Sequence, residues 1–327
     1  MSVRRKLLAY ATPNDTVALW QAISTLGLFV ALVTVSFYLA NIHPLLSLLL
    51  SIPTGLVVVR LFILQHDCGH GGFSKSKLAN ACIGRICAFV ALTPYSYWNS
   101  NHHTHHQEHG KLDGHRYDGE VWMLTVAEYK NAPRWKRWLY RAYRSRSILF
   151  VIGPILYFIV MLRLPQYGRD LKEKRSIWFT NIALGLTLLI AHGTIGVIPF
   201  LCIYLPVAIV AGMIGVWAFF VQHSYKNAYW EHAAEWNGEK ASILGSSFLD
   251  LPKILRWCTA DIGYHPLHHL LPRIPNYKLR ACWDANKELF VQSPRITFLS
   301  SFREMKNALW DEEQKCMITF REFKTAT

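Results

Sequence analysis

The sequence predicts an all-α integral membrane protein with four transmembrane helices, arranged as two hairpins, and a helical cap on one side of the membrane. Two observations support this fold class. Hydrophobic residues make up 52% of the 327 residues and charged residues only 17%, against roughly 25% charged in a typical soluble domain. Long uncharged apolar runs are followed by clusters of histidines. We therefore expect one domain, residues 1–327, with a histidine-rich site at the water interface.

The first hairpin is predicted from two apolar runs near the N-terminus. Residues 17–40 carry no charge and are about long enough to cross a hydrocarbon core of roughly 30 Å. Residues 45–65 form the second span after a short turn that contains a proline. The same helix then continues to His66 and His70, which places both imidazoles beyond the lipid. No cleaved signal is expected, because no small-residue cleavage site follows the first run.

The second hairpin is predicted from the number of membrane crossings between the histidine clusters. Three further apolar runs are present, at 148–164, 177–197 and 198–221. If the later histidine clusters share one centre, an even number of spans must separate them. A crossing by 148–164 would also place several arginines and lysines on the far side, against the positive-inside tendency. We therefore expect 148–164 to be interfacial, and residues 66–147 and 222–327 to be cytoplasmic together with both termini.

Charge and cysteine content exclude other classes of protein. The net charge of +14 has no accompanying nucleic-acid-binding motif, so we expect no nucleic acid partner and assign most of the charge to cytoplasmic loops. Seven cysteines are scattered without a CxxC pair. This argues against a disulfide framework or a thiolate metal site, and it favours a reducing compartment.

Three sets of histidines indicate a metal site. Their spacings of three and four residues place each set on one helix face. Neutral imidazole is a common ligand of transition metals. Eight ligands exceed the four of a tetrahedral zinc site, so we expect two metals, and an almost purely histidine donor set suggests iron used for oxygen chemistry. The candidate ligands are His66, His70, His102, His105, His106, His265, His268 and His269, with His223 as a ninth.

Metal-bound histidines need hydrogen-bond partners on their second ring nitrogen. Four carboxylates are close in sequence to the histidine sets and are candidates for this role: Asp67, Glu108, Asp113 and Asp261. The roles of His103 and His109 stay open. The other histidines are expected to lie outside the site, namely His43, His115, His192 and His232.

The histidine sets resemble the three histidine boxes of integral-membrane fatty acid desaturases. The matching segments are HDCGH at 66–70, HHTHH at 102–106 and HPLHH at 265–269. The surrounding segments FILQHDCGHGGF (62–73) and GYHPLHHLLPRIPNYKL (263–279) are similar to the bacterial and plastid acyl-lipid branch of the Δ12/omega-6 type. The resemblance covers roughly residues 40–290.

This resemblance implies a function. It makes the eight box histidines and His223 ligands of two iron ions, with dioxygen as co-substrate. The implied reaction forms a cis double bond in a fatty acyl lipid, using two electrons from a ferredoxin or a cytochrome-type carrier. Membrane lipids would surround the chain, and we expect it in the inner membrane of a bacterium.

Two other functions are weighed against this one. A membrane di-iron hydroxylase of the alkane or carotenoid type uses similar histidines, but alkane hydroxylases carry a further histidine signature that residues 229–232 echo only faintly. A histidine-rich metal transporter, from a different class, should place its ligands near the bilayer midplane. Here the histidines follow the ends of the apolar runs, which disfavours transport.

Overall fold

The computed structural model describes residues 3–113 and 121–326, and most of these residues are helical. The α-helices in chain order are α1 (Val3–Leu7), α2 (Asp15–Ile42), α3 (Pro44–Gly69), α4 (Lys77–Val90), α5 (Tyr95–Glu108), α6 (Val126–Asn131), α7 (Arg134–Tyr143), α8 (Gly153–Ile155), α9 (Leu171–Gly193), α10 (Val197–His223), α11 (Gly238–Leu244), α12 (Lys253–Cys258), α13 (His265–Leu270), α14 (Asn276–Ala285), α15 (Phe298–Glu304) and α16 (Phe320–Ala326).

Four of these helices are long and apolar enough to cross a membrane, namely α2, α3, α9 and α10. They confirm the predicted fold class of a helical protein with four apolar helices. Apolar side chains on their outer faces are exposed, for example Trp20 at 72% and Ile198 at 75%. Such a surface is suited to contact with lipid rather than water. The membrane boundaries and the cytoplasmic side stay predictions.

Local sequence explains the first hairpin. The side chain of Asn14 accepts hydrogen bonds from the backbone N–H groups of Thr16 and Val17 and so caps the start of α2. His43 caps α3 through Nδ1, which accepts from the N–H of Leu45 at 3.2 Å, and the proline at the first position of α3 suits a helix start. His43 therefore caps a helix and belongs to neither group of candidate ligands.

Close packing joins α3 to α10. A Cβ atom at Gly55 of α3 would lie 2.6 Å from Cγ1 of Val210 and 3.2 Å from the backbone nitrogen of Ala211. Only glycine permits this approach of the two helices. At the other end of α10's hairpin, Gly196 turns the chain with a φ of +85°, which is a conformation that glycine adopts readily.

Residues 148–163 are helical but irregular. Two π-helical turns, Ile148–Ile152 and Leu156–Val160, flank α8, and a 3-10 turn ends at Arg163. Pro154 lies between the π-helical turns and has no backbone N–H to donate. The segment and α7 are bent by 61° relative to each other. Its interfacial placement stays a prediction.

In the part of the chain that the structure describes, the cap also contains two small sheets that the sequence did not predict. Strands β1 (Leu124–Thr125), β4 (Asn307–Asp311) and β5 (Cys316–Thr319) form one sheet, in which β4 pairs parallel with β1 and antiparallel with β5. Strands β2 (Phe248–Asp250) and β3 (Arg295–Thr297) pair in parallel. Strands of two to five residues are too short for an alternating pattern to be recognised, and β1 and β2 pair with strands that are distant in sequence.

A buried apolar cluster packs the helix of the third histidine set against the helix of the first. Leu61 and Leu64 of α3 pack in the same core as Leu267 of α13 and Leu279 of α14, and all four side chains are fully buried. The seven cysteines are free thiols in this structure.

Candidate metal centre

Four helices supply the nine candidate histidines. The last turn of α3 carries His66, and His70 is its C-terminal cap residue. The second set lies on α5, His223 is the last residue of α10, and the third set forms α13. Within each helix the spacing of three or four residues turns the imidazoles to one side, as the sequence predicted.

The structure divides the nine histidines into two groups. Within each group the nearest ring nitrogens all lie within 4.8 Å of one another. The first group is His66, His70, His102, His106 and His268, and the second group is His105, His223, His265 and His269. The second and third sets therefore each contribute to both groups, so α5 and α13 lie between two adjacent centres.

The ring nitrogens point at one another in a way that fits a cation. Nε2 of His265 lies 2.9 Å from Nε2 of His223 and 3.1 Å from Nε2 of His269. In the first group, Nε2 of His106 lies 3.0 Å from Nε2 of His268. A neutral imidazole carries one lone pair and one N–H, so several facing nitrogens cannot all satisfy each other by hydrogen bonding. A metal ion between them would accept a lone pair from each.

The protein opposes protonation of five of the candidate donors. Burial is the largest cause, and neighbouring histidines add to it, so that the pKa values of five imidazoles in the cap lie well below their usual range. These residues are His102, His106, His265, His268 and His269. Neutral imidazoles at pH 7 have the free lone pair that metal ligation requires.

Asp67 orients His66. Its Oδ1 atom lies 3.0 Å from Nδ1 of His66, and since an ionised carboxylate can only accept, Nδ1 carries the proton and Nε2 keeps its lone pair. Its Oδ2 atom accepts from the backbone N–H of Asn276 at 2.7 Å and from Nδ2 of Asn276 at 2.8 Å. The Oδ1 atom of Asn276 in turn accepts from Gln21 at 2.8 Å. The sequence indicated Asp67 but not Asn276 or Gln21, which are distant along the chain.

The other proposed carboxylates have different neighbours. Glu108 pairs with Lys111 at 3.0 Å. Asp113 pairs at 2.8 Å with His232, which also contacts Glu312. Asp261 faces arginine side chains on α12 and α14, and burial raises the pKa of its carboxyl group. A supporting role for Asp261 at the metals stays a prediction.

Aromatic side chains cover the histidines. Trp98 stacks on His102 with ring centroids 4.6 Å apart and an angle of 15° between the planes. The ring centroid of Phe219 lies 5.1 Å from that of His105 and 4.9 Å from that of His223. Both aromatic residues precede a candidate ligand by four positions on the same helix, and this spacing is the signal that could have identified Phe219.

The histidines outside the nine candidate ligands differ in their burial and neighbours. His103 is exposed on α5. His109 is buried, and its ring centroid lies 4.6 Å from that of His223 and 4.7 Å from that of His269, yet it belongs to neither group of ligand atoms. His192 is exposed at the end of α9. His115 lies outside the described residues.

Comparisons with known proteins agree with the site. The family model described as fatty acid desaturase matches residues 40–299. A fatty acid desaturase of Bacillus subtilis is 36% identical over 320 residues, which cover 98% of this chain and 90% of that protein. The chloroplastic omega-6 fatty acid desaturase of Arabidopsis thaliana is 25% identical over 72% of this chain. A chloroplastic sn-2 acyl-lipid omega-3 desaturase (ferredoxin) of Helianthus annuus is 27% identical over 69%. The chain spans about half the length of these two plant relatives, 52% in each case.

Proposed function

The chain belongs to the fatty acid desaturase family of oxidoreductases, and we propose that it introduces a cis double bond at the Δ12/omega-6 position of a lipid-linked acyl chain. The convergence of nine histidines into two adjacent groups carries this proposal. The regiochemistry is supported by the segments around the boxes and by the similarity to a plant omega-6 enzyme.

Two iron ions fit the donor set, one in each histidine group. When bound, they would supply the oxidising power that an unactivated methylene requires, by using dioxygen and two electrons. Two hydrogens leave adjacent methylenes, two further protons and two electrons are taken up, and dioxygen is reduced to two waters. The chain's own residues fix the geometry: the histidines would hold the metals, and Asp67 keeps the proton of His66 on Nδ1.

The surroundings of the site suit an apolar substrate. Trp98 and Phe219 lie directly against the histidines, where they exclude water from the reacting carbons. Because the site follows the ends of the apolar helices, an acyl chain can reach it from the bilayer. We place this site on the cytoplasmic side of a bacterial inner membrane, where the basic loops belong.

The electron donor in this proposal is a ferredoxin or a cytochrome-type carrier. A relative is named as ferredoxin-dependent. The net charge of +14 favours an acidic carrier protein, because complementary charge speeds encounter.

The rival functions fit the structure less well. His232, in the segment that faintly echoes hydroxylases, pairs with Asp113 and Glu312 at the surface and belongs to neither histidine group. A transporter is disfavoured because His66 and His223 lie at the very ends of their long apolar helices.

Lipid analysis tests the function. The protein is expressed with a working electron donor in a host supplied with monounsaturated acyl chains, and double bonds are located by mass spectrometry. We expect a new cis double bond at the omega-6 position in cells with the wild-type chain. We expect none with His105→Ala, which removes a ligand of the second group. His103→Ala, at an exposed position on the same helix, is the matched control.

Three outcomes would contradict the proposal. An unchanged lipid profile despite good expression would rule out desaturation of these chains. A hydroxylated product would favour the hydroxylase reading. A double bond at another carbon pair would retain the desaturase function and overturn the Δ12/omega-6 assignment.

A further inference from the structure

A cavity lies among α4, the start of α5 and the start of α9. Its volume is about 450 Å³. It combines three cationic side chains with hydroxyl groups and an apolar wall. The cations are Arg85, Lys172 and Arg175, the hydroxyl-bearing residues are Thr93, Tyr95, Ser96, Ser176 and Thr180, and the apolar residues include Phe89, Leu171 and Phe179. This composition suits a ligand with an anionic head and an apolar tail.

The three cationic side chains of the cavity have no carboxylate partner among the described residues. Within residues 3–113 and 121–326, Arg85, Lys172 and Arg175 form no ion pair with a carboxylate, and all three are exposed. Glu173 lies in the same turn of α9, but it is buried and pairs with Arg169 at 3.1 Å. Three cations without carboxylate partners on one cavity favour an anion, and an arginine guanidinium can donate two parallel hydrogen bonds to a phosphate.

The cavity lies where α9 changes from charged to apolar. Lys172 and Arg175 occupy the first turns of this helix, and residues 176–191 carry no charged side chain. Leu171 is 70% exposed and Phe179 is 64% exposed on the cavity wall. In a membrane this boundary corresponds to the level of the lipid headgroups, where basic residues interact with anionic lipids.

Two residues that line the cavity, Thr93 and Ser96, are linked to segments that carry candidate metal ligands. The hydroxyl of Thr93 donates to Oε1 of Gln65 at 2.7 Å, and Gln65 directly precedes the ligand His66. Ser96, on the cavity side, lies six residues before His102 on α5, which is roughly 9 Å along a helix. An acyl chain anchored in the cavity therefore begins close to the histidines.

We infer that this cavity binds the phosphate headgroup of an anionic glycerophospholipid, the substrate whose acyl chain extends towards the metals. Arg85, Lys172 and Arg175 neutralise the phosphate, while Phe89 and Phe179 contact the start of the chains. The inference of a lipid-binding site depends only on the residues of the cavity, whereas the role of the lipid as substrate rests on the proposed function.

Lipid binding by the purified protein tests the site. Native mass spectrometry in detergent would measure binding of phosphatidylglycerol to the wild type and to the triple variant Arg85→Gln/Lys172→Gln/Arg175→Gln. We expect the triple variant to bind about tenfold more weakly or worse, because each cation contributes to attraction of the headgroup. The control variant Lys240→Gln/Arg303→Gln/Lys306→Gln loses the same charge at exposed cap positions outside the cavity and should bind as the wild type does.

Two further ligands separate headgroup recognition from other sources of affinity. Diacylglycerol, which lacks the phosphate, should bind weakly to wild type and triple variant alike. Inorganic phosphate should not displace the lipid, since it cannot use the apolar wall. Equal phosphatidylglycerol binding by the wild type and the triple variant would overturn the inference, as would displacement by inorganic phosphate at concentrations comparable to the lipid.

Activity distinguishes a substrate site from a structural lipid site. In the desaturation assay the triple variant should show a raised KM for phospholipid with iron content unchanged. An unchanged KM, despite weakened binding, would overturn the substrate role. If the wild type binds phosphatidylglycerol through these cations but forms no double bond, the binding site stands and the proposed function fails.

Discussion

The hydrogen bond between Asp67 and His66 decides which nitrogen of His66 is available. With a carboxylate as acceptor, Nδ1 carries the proton and Nε2 keeps the lone pair that a metal could use. Oδ2 of the same carboxylate is held by two donors of Asn276. His66, Asp67 and Asn276 are all buried, so each donor and acceptor must find its partner within the protein.

Asp67→Asn should weaken iron binding by roughly 10–100-fold, the usual effect of losing the hydrogen-bond partner of a ligand. An amide has one acceptor oxygen, and Asn276 already presents two donors to this side chain. The amide N–H₂ then faces Nδ1 of His66, which favours the tautomer that protonates Nε2 and blocks ligation. Iron retention against a chelator measures this effect.

The matched control is Asp113→Asn, which alters a carboxylate–histidine pair on the exposed surface. It should leave iron retention unchanged. Equal retention by Asp67→Asn and the wild type would show that Asp67 does not orient a ligand.

At the scale of elements, the contact between α3 and α10 sets the spacing of the two groups, because α3 carries His66 and α10 ends at His223. Gly55→Val should lower the free energy of unfolding by about 1–3 kcal/mol, the usual cost of overpacking. The added side chain would collide with Val210 and the backbone of Ala211. Thermal unfolding in detergent measures the change.

Gly27→Val in α2 is the control, since a Cβ atom there meets nothing within 4 Å. It should leave thermal unfolding nearly unchanged. If both variants unfold at the wild-type temperature, the α3–α10 approach does not contribute to stability.

The segment 148–164 begins and ends near the cap. Before it, Arg144 donates from Nη2 to the carbonyl of Asn307 at 2.7 Å. At its end, Arg163 donates to the carbonyl of Leu92 at 2.5 Å, next to Thr93 and its bond to Gln65. These contacts support the prediction that the segment enters and leaves on one side of the membrane.

Labelling of single cysteines tests this topology. After replacement of the exposed Cys82 and Cys202 by serine, an impermeant maleimide should modify Ser147→Cys and Gln166→Cys from the same, cytoplasmic side. Asn41→Cys and Thr194→Cys, in the turns that end α2 and α9, should react only from the opposite side. Labelling of Ser147→Cys and Gln166→Cys from opposite sides would show that the segment crosses.

At the scale of the whole molecule, segments that are far apart in the chain meet beside the candidate metal centre. Gln21 of α2 and Asn276 of α14 extend the hydrogen bonds of Asp67. The hydroxyl of Tyr277 accepts from the N–H of Asn14 at 2.9 Å. The histidine site is therefore held by contacts between residues separated by more than 200 positions. Substitutions that break these contacts should weaken metal binding.

Some of this arrangement was predictable from sequence. The ligand faces of α5 and α13 follow from spacing alone, and the apolar runs predict four long helices. The division into two groups was not predictable, because it depends on how α5 and α13 lie between the centres. Asn276 was missed for the same reason: nothing local marks it as a partner of Asp67. The short strands β1–β5 give no period to detect.

The central claim is that each histidine group holds one iron ion, and metal analysis of the purified protein tests it most directly. After anaerobic loading with ferrous iron and removal of excess, the wild type should contain two irons per chain, one for each group. His70→Ala, in the first group, and His223→Ala, in the second, should each retain one, while His103→Ala should retain both. A wild type that binds no more than one iron per chain, or variants of both groups that keep two, would contradict the account.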